Sequence, residues 1–177
     1  MEAPLTTTEV EIVLLLVSPL HRYEGRPSDG PAPSVGDETV DRVEIRAGMG
    51  IVGDRYFNRP AHRRSAVSLF AAESLDAVAE DLALQRVPDQ ALTRRNIVLR
   101  GADVDALTRR RFSLDSGDGP IEFQGHRPAN PCAWMDVVLA PGAFRALRGR
   151  GGIRAEPITD GRLRLGRATL AAEPPAV

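Results

Sequence analysis

The chain has 177 residues, a length that suits a single domain with a core needing no disulfide or structural metal. Apolar residues make up 42% and charged residues 27%, the profile of an ordinary globular domain, and the net charge of −1 argues against nucleic acid or an acidic membrane as partner. All 23 basic residues are arginine, so the absence of lysine excludes Schiff-base chemistry, PLP attachment and the Walker phosphate loop.

One cysteine, Cys132, cannot form an intramolecular disulfide. The longest apolar run, Ile12 to Val17, is too short to cross a bilayer, and Glu2, Glu9 and Glu11 make the N-terminal stretch a poor signal peptide. The expected location is cytoplasmic, with no membrane partner.

Residues 1 to 8 read as a frayed terminus. Val10 to Ser18 is β-rich and apolar and predicts a buried strand ended by Pro19. Glu24 to Thr39 is rich in Gly, Pro, Ser and Asp and predicts a long flexible loop. Val40 to Ala47 predicts a second strand, followed by a turn carrying Gly48, Gly50 and Gly53. A basic loop, Arg55 to Arg64, leads to a short strand, Ala66 to Phe70.

Ala71 to Leu84 places Leu75, Val78, Ala79 and Leu82 on one stripe and predicts the clearest amphipathic helix. Asn96 to Arg100 predicts a strand and Asp103 to Arg109 a short helix. Arg111 to Leu114 and Ile121 to Gln124 predict strands around the Gly117 to Gly119 turn. Asn130-Pro131 has the form of a helix start, Asn as N-cap and Pro at the first position, with a helix from Cys132 to about Leu139. Pro141 predicts a second short helix ending at Gly149. Strands are expected near Ile153 to Ile158, Leu163 to Leu165 and Ala168 to Leu170, and Glu173 to Val177 reads as disordered. Many short strands with few helices predict a β-rich barrel.

Three elements carry candidate chemistry. In the first turn of a helix, Cys132 would meet free N–H groups and a dipole that favour the thiolate, with Arg127 five residues upstream adding positive charge. A thiolate attacks in persulfide transfer and is a soft metal ligand. The competing reading is an inert core cysteine. The second element is Gly50-Ile51-Val52-Gly53-Asp54-Arg55. Either Asp54 and Arg55 orient each other in a surface turn, or Arg55 holds an anion. The third is Arg94-Arg95-Asn96 entering a strand. Neighbours on a strand face opposite ways, so both arginines reach one pocket only if the strand begins after them. His21, His62 and His126 show no metal-binding spacing, and zinc is not expected.

In this order the three elements resemble the MOSC domain, the C-terminal domain of molybdenum-cofactor sulfurases. The quoted stretch ending Gly53-Asp54-Arg55, the run Arg94-Arg95-Asn96-Ile97-Val98 with Gly101, and Pro131-Cys132 carry the resemblance. Ala102 to Leu107 leading to Arg111-Phe112, and Gly161 to Gly166, add to it. The similarity runs from about Val10 to Leu170, and the domain is taken as 1–177.

The resemblance implies a β-rich α+β fold, a mixed-strand barrel with a few peripheral helices. It also implies binding of the molybdenum cofactor, in sulfur transfer or in reduction of N-hydroxylated compounds. Cys132 would be sulfur carrier or molybdenum ligand, and Gly53, Asp54, Arg55, Arg94, Arg95, Asn96 and Arg127 would surround the cofactor. Arg55, Arg95 and Arg127 would hold its phosphate. Tyr56 stands where many members have histidine, and Ala129 and Asn130 stand where acidic or cysteine residues are common. No ferredoxin-like or flavin domain is attached, so reduction would need an external electron donor, and sulfur transfer a sulfur donor. A homodimer is compatible with the sequence. The rival readings are a cofactor carrier without turnover and an interaction module that has lost its ligand.

Overall fold

The computed structural model describes residues 4–174. Ten strands and three short α-helices follow one another: β1 (Thr6–Leu15), β2 (Arg42–Arg46), β3 (Gly50–Ile51), β4 (Val67–Ala71), α1 (Ala72–Asp81), β5 (Ile97–Arg100), β6 (Arg111–Asp115), β7 (Ile121–Pro128), α2 (Trp134–Val138), α3 (Ala143–Ala146), β8 (Ile153–Pro157), β9 (Gly161–Arg164) and β10 (Gly166–Ala172). Seven strands close a barrel in the order β1-β10-β6-β7-β8-β4-β5, and β3-β2-β9 form a small separate sheet.

All barrel pairs are antiparallel except β4 with β5. A parallel pair needs a long crossover, and α1 supplies it. The barrel is therefore mixed, as the family resemblance implies.

Strand alternation sorts side chains between two cores. Ile12, Leu15, Leu69, Ile97, Leu99, Leu114, Ile121, Phe123 and Ile153 fill the interior, with Phe112 and Phe123 stacked across the β6–β7 pair at 5.3 Å. On the outer face Phe70, Val98 and Leu75 pack with Trp134 and Met135 of α2 and Leu147 beyond α3. β4 is buried along its whole length because α1 covers the face that points away from the barrel.

The structure moves several boundaries. β1 begins at Thr6, held opposite Ala172 of β10, so only residues 1–3 of the expected frayed terminus lie outside the described residues. Glu173 is tied to Arg111 by its backbone N–H and by its carboxylate, both at 3.0 Å; residues 175–177 lie outside the described set. Asp103 to Arg109 holds one 3₁₀ turn, Asp105–Leu107, and the helix expected from Pro141 is confined to Ala143–Ala146.

The helix expected from Cys132 begins two residues later, at Trp134, with Ala133 as N-cap. The reason is backbone pairing. The Ala129 N–H donates to the Gly152 carbonyl at 2.8 Å, which prolongs the β7–β8 contact and keeps the chain from turning at Asn130. Asn130 therefore caps nothing, and Cys132 precedes the helix rather than lying in its first turn.

Gly152 shows how tightly this corner is built. Its φ is +85°, and a Cβ there would stand 2.0 Å from the Leu69 carbonyl oxygen. Gly152→Ala is expected to cost about 3 kcal/mol or more, lowering the melting temperature by roughly 6–12 °C. Thermal unfolding followed by circular dichroism checks this, and a melting point unchanged within error would contradict the packing described.

Candidate functional site: an arginine-lined cleft

The site is built on a buried polar hub at the entrance to β5. Asn96 sits just before that strand. Its side-chain oxygen accepts from the Ser68 N–H and hydroxyl, both at 3.0 Å, and its amide nitrogen donates to the Leu16 carbonyl and to Asp54 Oδ1, both at 3.1 Å. Asp54 also accepts from the Ser18 and Tyr56 N–H groups, each at 3.2 Å, and from Arg55 Nη1 at 3.3 Å. Its carboxylate is completely buried. These bonds lock the Gly53-Asp54-Arg55 turn to the barrel and aim Arg55.

β5 begins only at Ile97, so strand alternation does not apply to Arg94 and Arg95. Arg94 has a left-handed backbone, φ +58°. The two side chains consequently reach the same cleft. Its lining includes Arg22, Arg55, Arg94, Arg95 and Arg154, with Cys132 and the aromatic residues discussed below, and its volume is about 180 Å³. No carboxylate lines it.

The five guanidinium groups differ in how they are satisfied. Arg22 pairs with Glu38 at 3.6 Å and donates to the Ala32 carbonyl at 2.7 Å. Arg94 is spent on Glu38 and on the Leu20 carbonyl at 3.0 Å. Arg55 pairs with Asp54 and donates to the Arg94 carbonyl at 3.3 Å. Arg95 meets only carbonyls: Gly151 at 3.1 Å, Ala129 at 2.9 Å and Thr93 at 3.4 Å. Burial, then the nearby Arg154 charge, pushes its pKa down to about 10, while the Cys132 side chain works in the opposite direction. Arg154 lies against the Tyr56 ring, 5.8 Å from its centroid, and burial lowers its pKa too. Among the described residues neither Arg95 nor Arg154 has a carboxylate within ion-pairing distance, so the cleft keeps uncompensated positive charge.

Aromatic groups form the walls. Tyr56 stands between Arg55 and Arg154, with His21 edge-on at 5.0 Å. Burial and then Arg55 lower the His21 pKa, which favours the neutral ring. On the opposite wall Tyr23 stacks on Trp134 at 5.2 Å, donates to the Leu92 carbonyl, and has its pKa pushed up to about 12, chiefly by burial. Cys132 is solvent-exposed at the rim.

Of the residues singled out in the sequence, Arg55, Arg94, Arg95 and Cys132 converge on the cleft. Gly53, Asp54 and Asn96 do not line it; Asp54 and Asn96 form the hub beneath, and Gly53 the turn above. Arg127 is exposed and lies outside, opposite Arg154 across the β7–β8 pair, next to a bulge at His126. His21, Tyr23, Trp134 and Arg154 are among the cleft residues that sequence reasoning missed, with Arg22, Thr93 and Met135. Arg154 had one signal: in Ile153-Arg154-Ala155-Glu156 the apolar residues face the barrel and the charged ones face out. Larger hollows around Arg63 and Glu156 and around Glu73 and Asp103 are more open to solvent and bring no such set of unpaired cations together.

The family model of the MOSC domain matches residues 45–169, a span holding Arg55, Arg94, Arg95, Cys132 and Arg154. The chain belongs to the MOSC domain family. No curated protein matches it. Among solved structures, the YuaD protein of Bacillus subtilis is similar at a TM-score of 0.71, with 17% identity over 96% of this chain and 99% of that one. YiiM of Escherichia coli has a TM-score of 0.59 and 14% identity, over 93% of this chain and 69% of that one. YiiM of Geobacillus stearothermophilus gives the same score and identity, over 93% and 75%. At these identities the likeness concerns the fold.

In this MOSC domain no helix among the described residues is long and apolar enough to cross a membrane. No group of three or more His, Cys, Asp or Glu that could hold a metal ion is found among the described residues. A metal at the cleft would thus depend on the lone thiol and on donors brought by its own ligand.

Proposed function

We propose that this MOSC domain binds the molybdenum cofactor at the arginine cleft, with Cys132 as molybdenum ligand or sulfur carrier. It would act in cofactor sulfur transfer or in reduction of N-hydroxylated compounds. The observation that carries the reading is the pair Arg95 and Arg154, two largely desolvated guanidinium groups without carboxylate partners, in the same cleft as the only thiol.

The donor set suits the group. Guanidinium planes bind phosphate in a bidentate manner, and a thiolate is a soft donor suited to molybdenum. A volume of about 180 Å³ is below the roughly 300–1,000 Å³ usual for complete small-molecule sites, so it suits the phosphate-bearing end rather than the whole cofactor. Bound, the cofactor would supply a two-electron redox centre. Arg95 and Arg154 would neutralise the phosphate, Tyr56 would brace Arg154, and the Tyr23–Trp134 stack would keep water from one wall. Reduction of an N-hydroxylated compound consumes two electrons and two protons, so an external electron donor is required.

A non-catalytic carrier is the second reading, and the lack of any carboxylate on the lining favours it, because a cleft of cations holds an anion without offering a strong general base. Stoichiometric cofactor with no turnover of N-hydroxylated substrate in the presence of a competent donor would select it.

The decisive measurement is molybdenum and pterin content per chain, in wild type and Cys132→Ala purified without oxygen from cells rich in cofactor. Near-stoichiometric metal in wild type and at least a tenfold loss in the variant is expected. Metal and pterin absent from both would remove the proposal.

A further inference from the structure

Arg95 has no direct counter-charge, and one of the three carbonyls that hold it belongs to a peptide tied to a carboxylate. Its Nε donates to the Gly151 carbonyl at 3.1 Å. The N–H of the same peptide, that of Gly152, donates to Asp105 Oδ1 at 2.9 Å. One amide thus lies between a half-buried guanidinium and a half-buried carboxylate, with its dipole aligned to both charges. Hydrogen bonds in such a chain polarise and strengthen each other. The ring is completed by Arg95 Nη2 on the Ala129 carbonyl and the Ala129 N–H on the Gly152 carbonyl.

Packing fixes where this peptide lies but not which way it faces. A Cβ on residue 151 would stand 2.4 Å from the Ala129 carbonyl oxygen, and one on residue 152 only 2.0 Å from that of Leu69, so glycine is demanded at both. A peptide between two glycines can flip about its flanking bonds at low steric cost. The Asp105 carboxylate is the group that holds the N–H and so turns the carbonyl towards Arg95.

We infer that Asp105 is a positioning residue for the cleft: through the Gly151–Gly152 peptide it orients Arg95 for anion binding. This rests on reading the cleft as an anion site. In the sequence Asp105 shows only as a member of a short helix start.

The test uses inorganic phosphate as probe, titrated calorimetrically into wild type, Asp105→Ala, Asp105→Asn, Arg95→Met and the Asp105→Ala/Arg95→Met double variant, with melting temperatures alongside. Asp105→Ala is expected to weaken phosphate binding about tenfold, the loss of one hydrogen bond to a charged group. Asp105→Asn keeps an acceptor oxygen for the Gly152 N–H and restores most of the affinity. In the Arg95→Met background Asp105→Ala has no further effect on phosphate, although its effect on stability persists.

Equal phosphate affinity in Asp105→Ala and wild type, or an equal loss in both backgrounds, overturns the inference and leaves the anion cleft standing. Failure of wild type to bind phosphate removes both. Saturating phosphate is also expected to slow hydrogen exchange at the Gly152 amide of wild type. Unchanged exchange there overturns the coupling even if Asp105→Ala does not fold.

Discussion

Replacing Arg154 by methionine is expected to weaken phosphate binding by about ten- to a hundredfold while the melting temperature stays level or rises. The opposite signs come from one cause. Arg154 is desolvated by its surroundings and repelled by Arg55 and Arg127, with the Tyr56 ring and hydroxyl as its compensation. Keeping a guanidinium in such a place costs the folded state, and methionine of similar length removes that cost. An anion in the cleft would recover it, because a hydrogen bond to a charged group contributes about 1.5–3 kcal/mol, or roughly ten- to a hundredfold in affinity. Arg95→Met differs: it orphans the carbonyls of Gly151, Ala129 and Thr93, so stability and binding should fall together. Calorimetry and thermal melts on the two variants separate these outcomes. Wild-type phosphate affinity in Arg154→Met would remove the anion reading, and a melting point several degrees lower would make Arg154 a structural residue.

The second large effect is expected at Asp54. Asp54→Ala leaves the Ser18 N–H, the Tyr56 N–H and one N–H of the Asn96 amide without an acceptor inside the protein, and Arg55 without its carboxylate. Each orphaned buried donor costs about 1–3 kcal/mol. The sum, roughly 3–9 kcal/mol, is a large part of the approximately 5–15 kcal/mol that stabilises a domain. Urea unfolding should show a correspondingly lower midpoint, with the protein partly unfolded at 37 °C. A midpoint close to that of wild type would mean that the hub does not hold the turn.

The barrel was legible because strand alternation is a local property. Ile153-Arg154-Ala155-Glu156 and the Leu75, Val78, Ala79 stripe announce strand and helix from neighbouring residues. The two-residue β3 and the start of β1 were not, because their pairing is decided by distant partners, Ile45 with Ile51 and Thr6 with Ala172. The helix start at Asn130-Pro131 was misplaced for the same reason: its cap chemistry is sound, but the Ala129–Gly152 bond overrides it. In the cleft, Arg55, Arg94, Arg95 and Cys132 stood out through local motifs. Arg154, Tyr23, His21 and Trp134 come from other strands and loops, and only barrel register and loop packing bring them together. An arginine on an alternating strand looks solvent-facing until its outer face is seen to be roofed. Arg127 stood out by proximity to Cys132 in sequence, yet it is solvent-exposed opposite Arg154 and does not line the cleft.

The seam that closes the barrel joins β1 to β10, from Thr6 opposite Ala172 to Ile12 opposite Gly166. Such pairing gives the fold a high contact order, and loop-closure entropy must be met before the seam rewards it. On a ribosome moving at about 5–20 residues per second, β1 waits on the order of ten seconds for its last neighbour. β5, on its other flank, emerges much sooner and can shield that side. For the interval between, the nascent chain carries one unpaired strand edge, the kind of template on which other chains add. The seven residue pairs of that seam therefore decide how the newborn chain escapes aggregation as much as how the finished barrel holds its shape.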